Sequence, residues 1–203
     1  MMQSLGAKTL LFPTPVLLVG TYDRAGKPNL MTAAWGGICC SKPPCVAVSL
    51  REATYTHGCI VERKAFTVGI ASEGTLVEAD YCGIATGRDA DKFAVTGLTA
   101  IRSDLVDAPY AAESPVVLEC RLLHTVEIGL HTQFIGEIVD VKAEEATLGA
   151  NGLPAMERVR PLVYAPEVQR YYAVADTVAD AFTAAATIST VPRPSAPRGG
   201  GPP

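Results

Sequence analysis

The amino-acid sequence predicts a mainly β fold with short helices, in which the strands form a closed or partly split β-barrel. Segments rich in β-branched and apolar residues follow one another at short spacing. No regular alternation of strand and long helix separates them, which argues against a doubly wound dinucleotide-binding domain. The chain has 203 residues, enough for one domain with a substantial core, which we place over residues 1–190. The predicted strands are residues 16–22, 29–35, 46–50, 66–70, 116–126 and 134–141.

The first two strands are predicted to pair through a short turn. Residues 16–22 are apolar and β-branched, and residues 29–35 return as the partner strand. The intervening residues include Asp23, Gly26 and Pro28, which are typical of tight reversals. The sequence therefore predicts an antiparallel start to the sheet.

A buried strand and a short helix are expected next. Residues 46–50 are apolar and follow a proline pair, which indicates a buried strand. Residues 56–63 predict a helix with Thr54 or Thr56 as its N-cap. Residues 66–70 then return to a strand pattern.

The remaining elements are less regular. Residues 75–81 predict a helix, and residues 89–93 a single turn. The two long strands are separated by a glycine-containing corner at residues 129–132. Residues 174–188 are alanine-rich and predict a helix, whereas residues 191–203 hold five prolines and three glycines and predict a disordered tail.

The charge balance excludes several classes of partner. Lys and Arg number 17 and Asp and Glu number 21, so the formal net charge is -4. This mild acidic excess gives no general attraction to nucleic acid or anionic lipid.

Pro13 and Pro15 interrupt a segment that faintly resembles a signal-peptide core. No apolar run reaches the roughly 18 residues needed to cross a bilayer, so we expect a cytoplasmic protein.

Six cysteines form no Cys-x-x-Cys pair, and we interpret them as small buried thiols in a reducing compartment. Cys39, Cys40 and Cys45 could hold a metal only with a distant fourth ligand.

A candidate anion site lies around the start of the first predicted helix. Ser49, Arg51, Thr54 and Thr56 supply hydroxyl groups and a cation, and the free N–H groups of the helix would point to the same place. Alternatively, the two threonines only cap the helix. Lys92 joins this site only if folding brings it there.

A candidate surface for a flat ring lies on the second predicted strand. The small residues before Trp35 let the backbone approach a planar ligand, and the amide of Asn29 offers a donor and an acceptor. Alternatively, Trp35 is a core residue. FMN combines a flat ring with a phosphate tail, so it is a ligand that both sites together would suit.

Taken in order, these motifs resemble the flavin-reductase-like family of FMN-binding split-barrel proteins, and within it the flavoredoxins. The resemblance covers about residues 10–175 and is carried by residues 12–35, 43–51, 54–56, 80–83, 91–93 and 129–131. Residues 83–87 depart from the small Ser-Gly pattern expected there. The resemblance implies a Greek-key split barrel, paired as a homodimer, with FMN bound non-covalently near the subunit interface.

The resemblance also implies which residues contact FMN. They are Asn29, Met31, Thr32, Ala33, Ala34 and Trp35 at the ring, Ser49, Leu50, Arg51, Thr54 and Thr56 at the phosphate and ribityl chain, Lys92 as an added charge, and His131 and Tyr164 as further contacts.

The sequence leaves several functions open. The first is a flavoprotein that transfers electrons between redox partners, in which the flavin carries the chemistry and no catalytic side chain is expected. The alternatives are an NAD(P)H-dependent flavin reductase that supplies reduced FMN or FAD, a non-enzymatic flavin-binding protein, or a purely structural barrel. Because no Ser-His-Asp arrangement stands out, a hydrolase has little support.

Overall fold

The computed structural model describes residues 1–174, 176–179 and 181. The strands are β1 Thr14–Pro15, β2 Leu17–Tyr22, β3 Pro28–Ala33, β4 Gly36–Ser41, β5 Pro44–Arg51, β6 Ala65–Ile70, β7 Ala100–Arg102, β8 Pro109–Ala111, β9 Val116–Ile128, β10 His131–Ala143, β11 Leu162–Ala165 and β12 Arg170–Ala173. The helices are α1 Tyr55–Arg63, α2 Leu76–Ile84, α3 Lys92–Thr96 and α4 Met156–Val159. The predicted helix over 174–188 lies mostly, and the predicted tail over 191–203 wholly, outside the described residues.

Seven strands form one antiparallel sheet in the order β3-β2-β6-β9-β10-β5-β4. The two end strands are consecutive in the chain, since β3 ends at Ala33 and β4 begins at Gly36. A link of two residues can join the ends of a seven-stranded sheet only if the sheet curls back on itself. Within the described residues β3 and β4 share no ladder, so the barrel is split there. The fold class predicted from the sequence is confirmed.

The hydrophobic core lies inside the barrel and in a second layer outside it. The interior cluster contains Leu17, Val19, Ala33, Val46, Val48, Leu50, Ile60, Phe66, Val68, Cys120 and Phe134. The outer cluster contains Val16, Leu18, Leu30, Ala71, Ala79, Cys82, Phe93, Leu98, Ala111 and Leu162. Because β2 contributes to both clusters, both of its faces are buried, which explains its unbroken apolar sequence.

The predicted early elements are present with small changes in their ends. β2 and β3 pair so that Thr21 lies opposite Asn29, and the N–H of Lys27 donates to Asp23 Oδ1 across the turn at 2.8 Å. α1 begins one residue earlier than predicted and has Thr54 as its N-cap. The predicted turn over 89–93 overlaps α3 only at its last two residues, since α3 begins at Lys92 and is capped by Asp91.

Several short strands escaped the sequence analysis. β4 contains two glycines and two cysteines, and only its pairing with β5 makes it a strand. β7 and β8 are three residues each and pair with each other, whereas β1 pairs with β11, which is distant in sequence. The predicted corner over 129–132 is also shorter than expected, because β10 already begins at His131.

The interpretation of the cysteines as buried thiols is wrong for two of the six. All are free, but Cys39 and Cys40 are exposed because they lie on β4, an end strand of the sheet.

Among the described residues, no helix has the length and apolar character that a membrane crossing requires.

Candidate functional site

Two adjoining cavities form a cleft on the side of the barrel that carries α1, α2 and α3. The larger, about 450 Å³, lies between the start of α1, the end of α2 and the start of α3, and we call it the basic lobe. The smaller, about 280 Å³, lies between β3, α2 and the β11–β12 hairpin, and we call it the tyrosine lobe. Gly83 and Ile84 line both lobes, so they are neighbours.

The start of α1 supplies the first wall of the basic lobe. The Thr54 hydroxyl donates to the carbonyl of Arg51 at 2.8 Å and accepts from the N–H of His57 at 3.4 Å. Thr54 is therefore the N-cap of α1, and it is one of the two residues that the sequence predicted for that position. Thr56 is buried, and its hydroxyl accepts from Asn29 Nδ2 at 2.9 Å. The Oδ1 atom of Asn29 has no hydrogen-bond partner among the described residues, although it is buried beside the lobe.

Lys92 supplies a buried cation on the opposite wall. It is the first residue of α3, only 3% exposed, and its Nζ donates to the carbonyl of Cys82 at 2.8 Å. Among the described residues it forms no ion pair with a carboxylate. Burial lowers the pKa of this amino group, and the nearby Cys82 thiol only partly offsets that effect. An anion bound in this lobe would therefore stabilise the buried ammonium group of Lys92.

The loop after α2 closes the lobe against α1. A Cβ atom on Gly87 would lie 2.3 Å from Asn29 Oδ1 and 2.4 Å from Cδ1 of Tyr55, so only glycine allows this approach. Arg88 donates from Nη1 to the carbonyl of Ala53 at 2.9 Å and lies over the Tyr55 ring, 5.8 Å from its centre. The sequence analysis did not propose Arg88 as a site residue, although a cation beside a glycine was a signal that could have suggested it.

The tyrosine lobe is more aromatic. The rings of Tyr164 and Tyr171 are 5.6 Å apart at an angle of 49°. The Tyr171 hydroxyl donates to Asp80 Oδ1 at 2.9 Å, and burial together with this bond raises the pKa of Tyr171 to about 12. Tyr171 is therefore a neutral hydrogen-bond donor at neutral pH. The sequence analysis missed Asp80 and Tyr171 as lining residues, because the fold alone brings β12 against α2.

The structure distributes the predicted site residues over three places. Those at the basic lobe are Met31, Arg51, Thr54, Thr56 and Lys92, with Asn29 beside them, and those at the tyrosine lobe are Thr32, Ala34 and Tyr164. The other five, which line neither lobe in the described part of the chain, are Ala33, Trp35, Ser49, Leu50 and His131.

These five differ in what they could offer a ligand. Ala33 and Leu50 are buried in the barrel core, so only their main-chain atoms could face one. Ser49 donates its N–H to the carbonyl of Trp35 at 2.8 Å, and His131 lies opposite Arg51 in the β5–β10 register. These three residues therefore lie along the strand surface that adjoins the basic lobe.

Comparison with known proteins gives concordant matches. The family model described as "Flavin reductase like domain" matches residues 9–173. The structure of flavoredoxin from Desulfovibrio vulgaris (Miyazaki F) is similar, with a TM-score of 0.87 and 54% identity over 91% of this chain and 99% of that one. Flavoredoxin from Methanosarcina acetivorans has a TM-score of 0.84 and 28% identity over 92% of this chain and 99% of that chain.

A curated relative with a stated reaction also matches. The NADH:riboflavin 5'-phosphate oxidoreductase of Streptomyces pristinaespiralis is 29% identical over 64% of this chain and 70% of its own length.

Proposed function

We propose that this protein, which belongs to the flavin reductase like domain family, binds FMN non-covalently in the two-lobed cleft. Its proposed function is to transfer electrons between redox partners. Bound FMN would supply the redox chemistry, since it accepts one or two electrons. The chain's own residues would bind it, orient it and keep water from it. No catalytic side chain is needed for this function.

The observation that carries the proposal is the environment of Lys92. A buried ammonium group without a carboxylate costs free energy unless a ligand compensates it. A terminal phosphate carries nearly two negative charges at pH 7 and would provide that compensation. Lys92 lines the same lobe as Thr56 and the exposed Arg51 and Arg88. Positive charges and hydrogen-bond donors therefore surround the proposed position of the phosphate.

Other features of the cleft fit a flavin. The unpartnered Oδ1 of Asn29 could accept from a ribityl hydroxyl or a ring N–H. The tyrosine lobe adjoins the basic lobe and offers aromatic rings and small side chains, which suit a planar ligand. Trp35, Ser49 and His131 are proposed as contacts from the adjoining surface, with Ala33 and Leu50 contributing main-chain atoms.

We also propose that the protein is a homodimer. The β6–β9 ladder reaches Arg121, and the N–H of Leu122 still donates to the carbonyl of Lys64 at 2.9 Å. From Leu123 onward, β9 presents an unpaired edge in the described structure. Val126, Ile128 and Leu130 lie on this projecting hairpin and are 42%, 54% and 64% exposed. An apolar, unpaired strand end of this kind favours association with another chain. Because β10 begins at His131, such a contact would lie next to proposed flavin contacts.

A cytoplasmic location is proposed on the ground that all six cysteines are free thiols.

The second candidate function is an NAD(P)H-dependent flavin reductase. The similarity to an NADH:riboflavin 5'-phosphate oxidoreductase favours it. The same cleft would then bind FMN as a substrate that leaves after reduction, and NAD(P)H would be the partner in place of a redox protein.

An absorption spectrum of the purified protein, and of the supernatant after acid precipitation, tests the binding proposal. We expect a flavin spectrum that is fully recovered in the supernatant as FMN. Colourless protein that takes up no added FMN in a titration would refute it.

A steady-state assay separates the two functions. A carrier retains its FMN and is nearly inert to NADH alone, whereas a reductase oxidises NADH at a rate that increases with free flavin. The second result would replace the carrier with the reductase.

A further inference from the structure

The hairpin of β4 and β5 carries three thiols next to its turn. Cys39 and Cys40 are exposed on β4, whereas Cys45 is 3% exposed at the start of β5. In the antiparallel register Cys40 lies directly opposite Cys45, and the register is interrupted at Cys39. In the described part of the chain none of the three lines the two-lobed cleft, so this group is distinct from the proposed flavin site.

The thiols of Cys40 and Cys45 point at the same two-residue turn. Cys40 Sγ donates to the carbonyl of Lys42 at 3.3 Å, and Cys45 Sγ donates to that of Pro43 at 3.4 Å. Directly opposed residues in antiparallel strands have Cβ atoms about 4.5–5.5 Å apart, close to the roughly 3.5–4.5 Å of a disulfide. A bond between these sulfurs therefore needs only a small movement of the strands.

The two thiols differ in accessibility. Cys40 is exposed on an end strand of the sheet, where an external reagent can reach it. Burial raises the pKa of the Cys45 thiol, and the nearby thiols of Cys40 and Cys39 and the carboxylate of Glu137 raise it further. Cys45 is thus shielded from external reagents and ionises less readily than an ordinary thiol. An accessible attacking thiol beside a shielded second thiol is the arrangement that dithiol exchange requires.

We propose that Cys40 and Cys45 form a dithiol–disulfide site that exchanges two electrons with low-molecular-weight disulfides. The Cys40 thiolate attacks one sulfur of the external disulfide, which forms a mixed disulfide and releases one thiolate. Cys45 loses its proton to water and attacks the Cys40 sulfur, which releases the second thiolate. The two protein thiols lose two protons and two electrons, and the external disulfide is reduced to two thiols.

Incubation of the folded protein with glutathione disulfide tests the site. After free thiols are blocked by alkylation, mass spectrometry of proteolytic peptides should find a crosslink between Cys40 and Cys45 and no retained glutathione. In defined mixtures with reduced glutathione, the crosslinked fraction should follow a two-electron equilibrium. A tenfold change in the ratio of crosslinked to reduced protein then corresponds to a change of about 30 mV in the potential of the glutathione mixture.

Three variants assign the roles of the thiols. Cys45→Ser should retain glutathione on Cys40, and Cys40→Ser, a change at an exposed position, should leave Cys45 neither crosslinked nor modified. Cys59→Ser removes another buried cysteine, on α1, and should form the crosslink as the wild type does.

A crosslink through Cys39, a stable glutathione adduct on the wild type, or an unreactive Cys40 would each overturn the proposal. The test uses protein freed of flavin as well as protein reconstituted with FMN, and both should crosslink equally. The result therefore does not depend on the proposed flavin function.

Discussion

At the scale of single residues, Lys92 and its surroundings decide the binding proposal. Within the described residues its amino group has one hydrogen bond, to a main-chain carbonyl, and very little contact with solvent. Transfer of such a group from water is unfavourable, and one neutral acceptor recovers only part of its hydration. A cleft that holds Lys92, Thr56 and Asn29 together is therefore better suited to a bound anion than to an apolar ligand.

Substitution of these three residues should weaken FMN binding. Lys92→Ala, Thr56→Ala and Asn29→Ala each remove a group placed at the basic lobe, and a hydrogen bond to a charged group contributes about 1.5–3 kcal/mol. We expect each dissociation constant to rise about 10- to 100-fold in fluorescence titrations, whereas Lys8→Met, at an exposed surface lysine, should have no effect. Unchanged affinity in all three variants would remove the site assignment.

The charge of Lys92 also predicts a pH dependence. Because burial lowers its pKa, the free protein loses this proton at a lower pH than an ordinary lysine would. A dianionic phosphate favours the ammonium form, so affinity should be complete below the lowered pKa and decline as the pH rises through it. Titrations should show that decline before the ordinary lysine value of about 10.4 is reached, and Lys92→Met should lack it. A wild-type affinity that stays constant up to that pH would contradict the prediction.

Gly87 offers a test of the loop that closes the basic lobe. In Gly87→Ala the new Cβ would meet Asn29 Oδ1 at 2.3 Å and the Tyr55 ring at 2.4 Å, so the loop must move outward. We expect FMN affinity to fall about 5- to 150-fold, because a displacement of this kind costs roughly 1–3 kcal/mol. Gly37→Ala is the matched control, since a Cβ there meets nothing within 4 Å. Equal titration curves for the two variants would show that the loop does not contribute to binding.

At the scale of elements, the β7–β8 hairpin is attached to the barrel through polar groups. The Thr67 hydroxyl on β6 donates to the carbonyl of Pro109 at 2.6 Å. Lys142 on β10 donates to Asp104 at 3.1 Å and lies 3.6 Å from Oε1 of Glu119. Glu119 is fully buried, and neither of its carboxylate oxygens has a hydrogen bond within the described structure. Lys142 is therefore the main electrostatic compensation for that carboxylate.

Loss of this cation should destabilise the fold. Lys142→Met leaves the carboxylate of Glu119 uncompensated, and we expect unfolding in urea to show a loss of about 2 kcal/mol. This is less than the roughly 3–5 kcal/mol of a fully buried pair, because Lys142 is 30% exposed. Glu119→Gln in the same background should restore part of the loss.

An exposed ion pair provides the control. Lys27 lies 3.3 Å from Asp91 and is 50% exposed, so Lys27→Met should change the free energy of unfolding by less than about 1 kcal/mol. Equal losses for the Lys27 and Lys142 variants would show that burial of Glu119 has no consequence.

At the scale of the whole molecule, the barrel is incomplete at one end. From Leu123 to Leu130 every residue is exposed, because the β9–β10 hairpin extends past β6. Apolar side chains on such a projection are stable when another surface covers them. In the proposed dimer the partner subunit would cover these side chains. The end of the β9–β10 hairpin, which adjoins the cleft, would then lie close to the partner.

A charge on this hairpin should dissociate the dimer. We expect light scattering after size exclusion to give twice the chain mass of 21.3 kDa for the wild type. Ile128→Glu should have the mass of the monomer, because burial of an unpaired carboxylate in an apolar contact is unfavourable. Leu153→Glu, at a residue 63% exposed on a different loop, should leave the dimer intact. A monomeric wild type would exclude the proposal directly.

Features that depend on neighbours along the chain could be predicted from the amino-acid sequence. The β2–β3 pairing, the Thr54 cap of α1 and the two long strands follow from local turn residues, hydroxyl caps and apolar patterns. The sequence also contains the residue types of the proposed anion site around Thr56. Interactions within a few residues act in almost any fold, so a pattern can predict them.

Contacts between groups that are distant in sequence arise from the packing of the folded chain. β1 is a strand because β11 pairs with it, which sets Thr14 opposite Tyr164. Lys92 reaches the cleft because α3 packs on β3, and Tyr171 meets Asp80 because β12 folds over α2. These contacts depend on how the sheet curls and on what each layer buries, which no local pattern of residues contains.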